Sequence, residues 1–139
     1  MKRVAKQLFE GEGDETRLLA GRNKADGRLK FPYPIGPESE YYDLVPLSQR
    51  GSLWSWTVQR FRPKPPYNGR GDESDFTPYA VGYIELPGQL IVEGRIIASD
   101  FDELRIGQSM RVTTEAYRDE NGEPVLTYAF IPNHKDMIL

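Results

Sequence analysis

Cysteine is absent from the 139 residues, and histidine occurs once, at His134. Disulfides, thiolate zinc sites and a cysteine nucleophile are therefore excluded. A single imidazole cannot build a histidine-rich metal centre. Long apolar runs are missing too: none approaches the roughly 20 residues that a membrane-spanning helix needs. The basic start, Met1-Lys2-Arg3, is followed by Val4 to Phe9, which is too short and too polar for a signal-peptide core. The expected location is cytoplasmic, with no membrane contact. A basic excess is lacking as well. The formal net charge is −3, whereas nucleic-acid binders usually carry the surplus of cations that releases counterions from phosphates.

What remains is a chain with 38% apolar residues, enough for one compact domain. Val4 and Leu8, spaced i, i+4, predict a short amphipathic N-terminal helix, broken at Gly11 to Asp14. Glu15 to Ala20 fits either another helical turn or a strand. Residues 21–40 are punctuated by Gly21, Gly27, Pro32, Pro34, Gly36 and Pro37 and read as irregular structure.

From residue 44 the texture becomes that of strands. Leu53 to Phe61 is aromatic and β-branched, and strict alternation would put Trp54, Trp56, Val58 and Arg60 on one face. Residues 62–78 form a long loop with four prolines. Tyr79–Leu86 and Gln89–Ile97 flank Pro87-Gly88 as an antiparallel hairpin. Ser99 or Asp100 caps a short helix ending at Ile106-Gly107, whose first turn explains the acids Asp100, Asp102 and Glu103. Ser109–Tyr117 and Val125–Ile131 are joined through Asn121-Gly122, a type I′ turn signature. Three strands, a helix and two more strands is the connectivity of a five-stranded OB-fold barrel, so the expected class is mainly β.

Three groups of residues invite a functional reading. Trp54 and Trp56 offer either a stacking surface for a base or an adenine or core and interface packing. Arg60, Arg62, Lys64 and Arg70, with Phe61 and Tyr67 interleaved, offer either a phosphate clamp or a solvated loop. Tyr79, Tyr83 and Glu85 are candidates to line a barrel pocket. No Gly-x-Ser-x-Gly elbow and no glycine-rich phosphate loop is present.

The ordered segments Gly51-Ser52-Leu53-Trp54-Ser55-Trp56-Thr57-Val58, Pro78 to Leu86, Gly94-Arg95-Ile96-Ile97 and Asp102 to Val112 carry a resemblance. The chain resembles the acyl-CoA-associated zinc-ribbon/OB-fold family, domain of unknown function thirty-five. That resemblance implies an N-terminal helix, a rubredoxin-like ribbon (residues 1–43) and an OB barrel with a C-terminal tail (residues 44–139). Phe31-Pro32 of the ribbon linker is kept. The four ligand positions, however, hold Asn23, Asp26, Gly36 and Ser39, which cannot make a tetrahedral zinc site. The expectation is a degenerate ribbon without zinc that packs on the barrel or on a partner. The family implies a non-catalytic accessory subunit of a thiolase-like enzyme, with acyl-CoA as ligand, catalytic groups supplied by the partner, and self-association left open. The alternative is an OB-fold module for single-stranded nucleic acid; an enzyme in its own right comes last.

Overall fold

Alternating apolar residues separated by glycine, proline and acidic turns produce an almost entirely β structure. A computed structural model describes residues 2–3, 8–59, 78–118 and 121–133. Its strands are β1 (Lys2–Arg3), β2 (Phe9–Glu10), β3 (Arg17–Asn23), β4 (Leu29–Lys30), β5 (Tyr42–Pro46), β6 (Arg50–Gln59), β7 (Tyr79–Glu85), β8 (Ile91–Ile96), β9 (Ser109–Arg118) and β10 (Pro124–Pro132). Short 3₁₀ turns occupy Gly13–Glu15, Gly36–Tyr41 and Phe101–Glu103.

Five strands close into a barrel. β6, β7 and β8 form an antiparallel meander. β8 meets β10 in parallel at Ile96 and Phe130. β10 pairs along β9, and β9 returns to the start of β6 through Gly51 and Met110. This is the OB order, and full closure removes the exposed edges an open sheet would carry. Period-2 patterning fixes which face is inside. On β7, Ala80 and Ile84 are fully buried, while Tyr83 and Glu85 face solvent. Leu53, Val92, Ile96, Met110, Val112 and Phe130 complete the interior. Each such side chain stabilises the fold by about 1.5–3 kcal/mol through its burial.

The second sheet is small: β3 is its centre, with β5 along one side and β2 and β4 along the other. It is not a separate body in packing terms. Phe9, Leu18, Ala20 and Leu47 join the barrel residues in one apolar cluster, and Phe31 stands edge-on to Tyr128. The Phe31-Pro32 peptide is cis.

Several local expectations change. The helix placed on Val4 and Leu8 falls largely on residues outside those described, and the neighbouring Lys2–Arg3 and Phe9–Glu10 are strands. Of the two options for Glu15–Ala20, the strand is realised, because Leu18 and Ala20 reach the common core there. Residues 21–40 are more regular than their glycines and prolines imply, since β3 templates β4 and β5. The helix after Ser99 shrinks to one 3₁₀ turn, capped by the Asp100 carboxylate accepting from the Asp102 amide at 2.9 Å. Asn121 does not adopt the positive φ of a type I′ turn. Arg118 pairs with Pro124, and among the described residues between them Gly122 alone takes a positive φ, 79°.

Candidate functional site

The strand that carries the tryptophans is interrupted. Between Leu53 and Ser55 the β6–β7 register shifts by a bulge. A bulge inserts one residue and reverses the in–out alternation beyond it. Leu53 is fully buried, whereas Trp54 is 55% exposed and Trp56 and Val58 pack against the core. Trp54 and Trp56 therefore lie on opposite faces, and the shared face expected from alternation does not exist. Trp54 instead packs edge-on to Tyr83, with ring centroids 6.5 Å apart.

Tyr83 and Glu85 point outward from β7, because the inward positions belong to Ala80, Gly82, Ile84 and Leu86. They cannot line a pocket inside the barrel. Tyr79 shares their phase and lies under the Arg95 guanidinium, 5.1 Å from ring to cation. Arg95 also reaches Glu115, with Nε 2.8 Å from Oε1. That contact is an ion pair without an aligned N–H bond, since Oε1 is buried and accepts no hydrogen bond. Burial raises the Glu115 carboxyl above its usual range, and Arg95 only partly offsets it. Arg60, Arg62, Lys64 and Arg70 lie outside the described residues, as does His134.

The four positions that the resemblance assigns to zinc ligands lie in hydrogen-bonding turns. Asn23 Oδ1 accepts from the amides of Ala25 (2.8 Å) and Asp26 (3.3 Å). Asp26 Oδ1 accepts from the Arg28 amide at 2.9 Å. In the second loop, Gly36 takes φ 72°, which glycine adopts without strain, and Ser39 Oγ donates to its carbonyl at 2.8 Å. The loops are tied together by the Lys24 amide donating to the Tyr41 carbonyl (2.9 Å) and by Lys30 pairing with Glu38 at 2.6 Å. The donor set does not suit zinc: one position has no side chain, and the amide and hydroxyl oxygens are committed to the backbone. Among the described residues, no group of three or more His, Asp or Glu is placed to hold a metal ion.

The family described as the ChsH2 C-terminal OB-fold domain matches residues 44–115. This chain belongs to that family. Over 124 residues it is 30% identical to a curated protein of Thauera aromatica, "Benzoylsuccinyl-CoA thiolase subunit BbsA", covering 86% of this chain and 78% of the relative. The protein of the same name from Geobacter metallireducens is 27% identical, with 86% and 77% covered. A solved structure, "Ltp2-ChsH2(DUF35) aldolase", shares the fold with a TM-score of 0.55 at 23% identity, covering 84% of each chain. The domain-of-unknown-function-thirty-five resemblance and the mainly β, OB-barrel class both stand. The curated relatives are thiolase subunits. No helix among the described residues is long and apolar enough to cross a membrane.

Proposed function

We propose that the chain is a non-catalytic accessory subunit that binds a thiolase-like enzyme and helps form its acyl-CoA or acyl-carrier site. The observation carrying this reading is the 124-residue match to a thiolase subunit, which runs through ribbon and barrel alike. The chemistry of the chain supports it. Thiolysis and Claisen condensation need an activated nucleophile and a general base, and a sequence without cysteine and with one histidine leaves both to the partner.

In this reading the subunit supplies shape and charge. Arg60, Arg62, Lys64 and Arg70 fall between β6 and β7, and their guanidinium and ammonium groups suit the phosphates of CoA. Trp56 works from within, as packing that holds the β6 end of the barrel. The split into residues 1–43 and 44–139 is proposed as one of role, since β5 straddles it and both parts feed one core. The proposed compartment is the cytoplasm, where CoA thioesters are handled.

The test is purification from the native cell followed by reconstitution. A thiolase-like enzyme is expected to co-elute with the tagged chain, and adding the chain to that enzyme is expected to raise its acyl-CoA turnover. A chain that elutes alone and leaves the activity unchanged on mixing would sink the proposal. Within the complex, Arg62→Glu is expected to raise KM for acyl-CoA about tenfold, the loss of roughly one charge-assisted contact.

A further inference from the structure

Four large apolar side chains remain in solvent along one stretch of the barrel exterior. Trp54 is 55% exposed, Tyr83 44%, Ile91 45% and Ile106 74%. Tyr83 packs against Trp54, and Ile91 opposes Glu85 two pairs further along β7, on the same face. On the other side of β6, the Gly107 amide donates to the Leu53 carbonyl (2.7 Å) and the Leu53 amide to that of Gln108 (2.9 Å). These bonds bring the turn bearing Ile106 alongside Trp54. Beyond it opens a groove of about 810 Å³, lined by Ile97, Leu104, Ile131 and Pro132 among others. Trp54 follows the buried Leu53 and faces outward by ordinary alternation; the bulge turns Trp56 inward, so Trp54 stands outside without it. Bulges commonly re-aim a side chain in this way, and contiguous exposed apolar surface marks an interaction site.

Charge selects the occupant. The exposed carboxylates of Glu85 and Glu93 flank the aromatic pair, and Asp100 and Glu103 edge the groove. Arg105 lines the groove beside them, so carboxylates outnumber cations along this face among the described residues. An acidic rim repels the phosphates of CoA or nucleic acid and complements a basic one. We propose that this face is the docking surface for the thiolase-like enzyme, meeting an apolar patch on that protein ringed by lysine and arginine. Trp54 is its central anchor, as buried aromatic residues are at protein interfaces. The inference rests on the subunit reading above.

The experiment titrates full-length variants against the thiolase-like enzyme isolated with the wild-type chain, by calorimetry, with circular dichroism confirming each fold. Trp54→Ala and Ile106→Glu are each expected to weaken association tenfold or more. Glu93→Lys is expected to weaken it and to reverse the salt dependence. Leu44→Glu, on the exposed face of β5, is expected to bind like wild type. Unchanged affinity for Trp54→Ala and Ile106→Glu would overturn the surface while leaving the subunit reading intact. Failure of the wild-type chain to bind any thiolase-like enzyme would overturn both. Self-association abolished by Trp54→Ala, or indole quenching by free CoA lost in that variant, would assign the face to a second copy or to the nucleotide and overturn the proposal.

Discussion

Single side chains on the barrel wall carry sharply defined physical demands. A methyl added at Gly82 would meet Ile96 Cδ1 at 2.5 Å and the Ser55 carbonyl at 3.0 Å. Gly82→Ala is therefore expected to cost about 1–3 kcal/mol, read as a lowered urea midpoint with an unchanged m-value. Tyr128 makes a different demand. Its hydroxyl donates to the Glu93 carbonyl at 2.7 Å. Burial, with the Glu93 charge second, pushes its pKa from 10.0 to about 12. A raised folded pKa means that the folded chain holds the phenol proton more tightly than the unfolded one. The stabilisation is thus complete below pH 10 and is lost as pH climbs toward 12. Urea melts of the wild type should show that alkaline loss, roughly 3 kcal/mol in all, and Tyr128→Phe should not. Glu115 follows the same sign at acid pH. Its raised carboxyl means that ionisation costs stability as pH rises upward from 4.5. Glu115→Gln is expected to flatten that part of the stability profile.

At the scale of elements, the sequence was most legible where its period was clean. β7 through β10 lie within a residue or two of their expected bounds, because Tyr79–Leu86 and Ser109–Tyr117 alternate without interruption and Pro87-Gly88 makes a turn that only those strands can flank. The bulge in β6 was hidden: Leu-Trp-Ser-Trp-Thr-Val reads as perfect alternation, and the slip arises where β6 leaves β9 and takes its bonds from the Gly107–Gln108 backbone. Three apolar residues in or just after the second sheet, Leu18, Ala20 and Leu47, were equally hard to place, since their burial comes from the barrel and not from any local pattern. The turn after Ser99 was found by its cap and misjudged in length; Asp100→Ala should cost it about 0.5–1 kcal/mol in a chemical melt, the value of one N-cap bond. Of the candidate site, the basic residues of the 60–70 stretch lie outside the described residues, and Trp54 and Tyr83 belonged to two separate expectations, a shared face with Trp56 and a pocket inside the barrel. The pairing of Trp54 with Tyr83 needed the three-dimensional register.

For the whole molecule, the second sheet is held by hydrogen bonds and a core shared with the barrel. Zinc ribbons draw folding free energy from the ion, and chelators unfold them. Here the melting temperature is expected to be the same with and without a strong chelator, and elemental analysis of the purified chain is expected to find less than a stoichiometric equivalent of zinc. A chelator-dependent drop of several degrees would contradict the hydrogen-bonded account of Asn23 and Ser39.

A turn held by Asn23 and Asp26 has no thiolate for peroxide to attack. Met110, the sulfur of the barrel core, is sealed from solvent. In the proposed complex this chain should therefore keep its shape through zinc starvation and oxidant bursts.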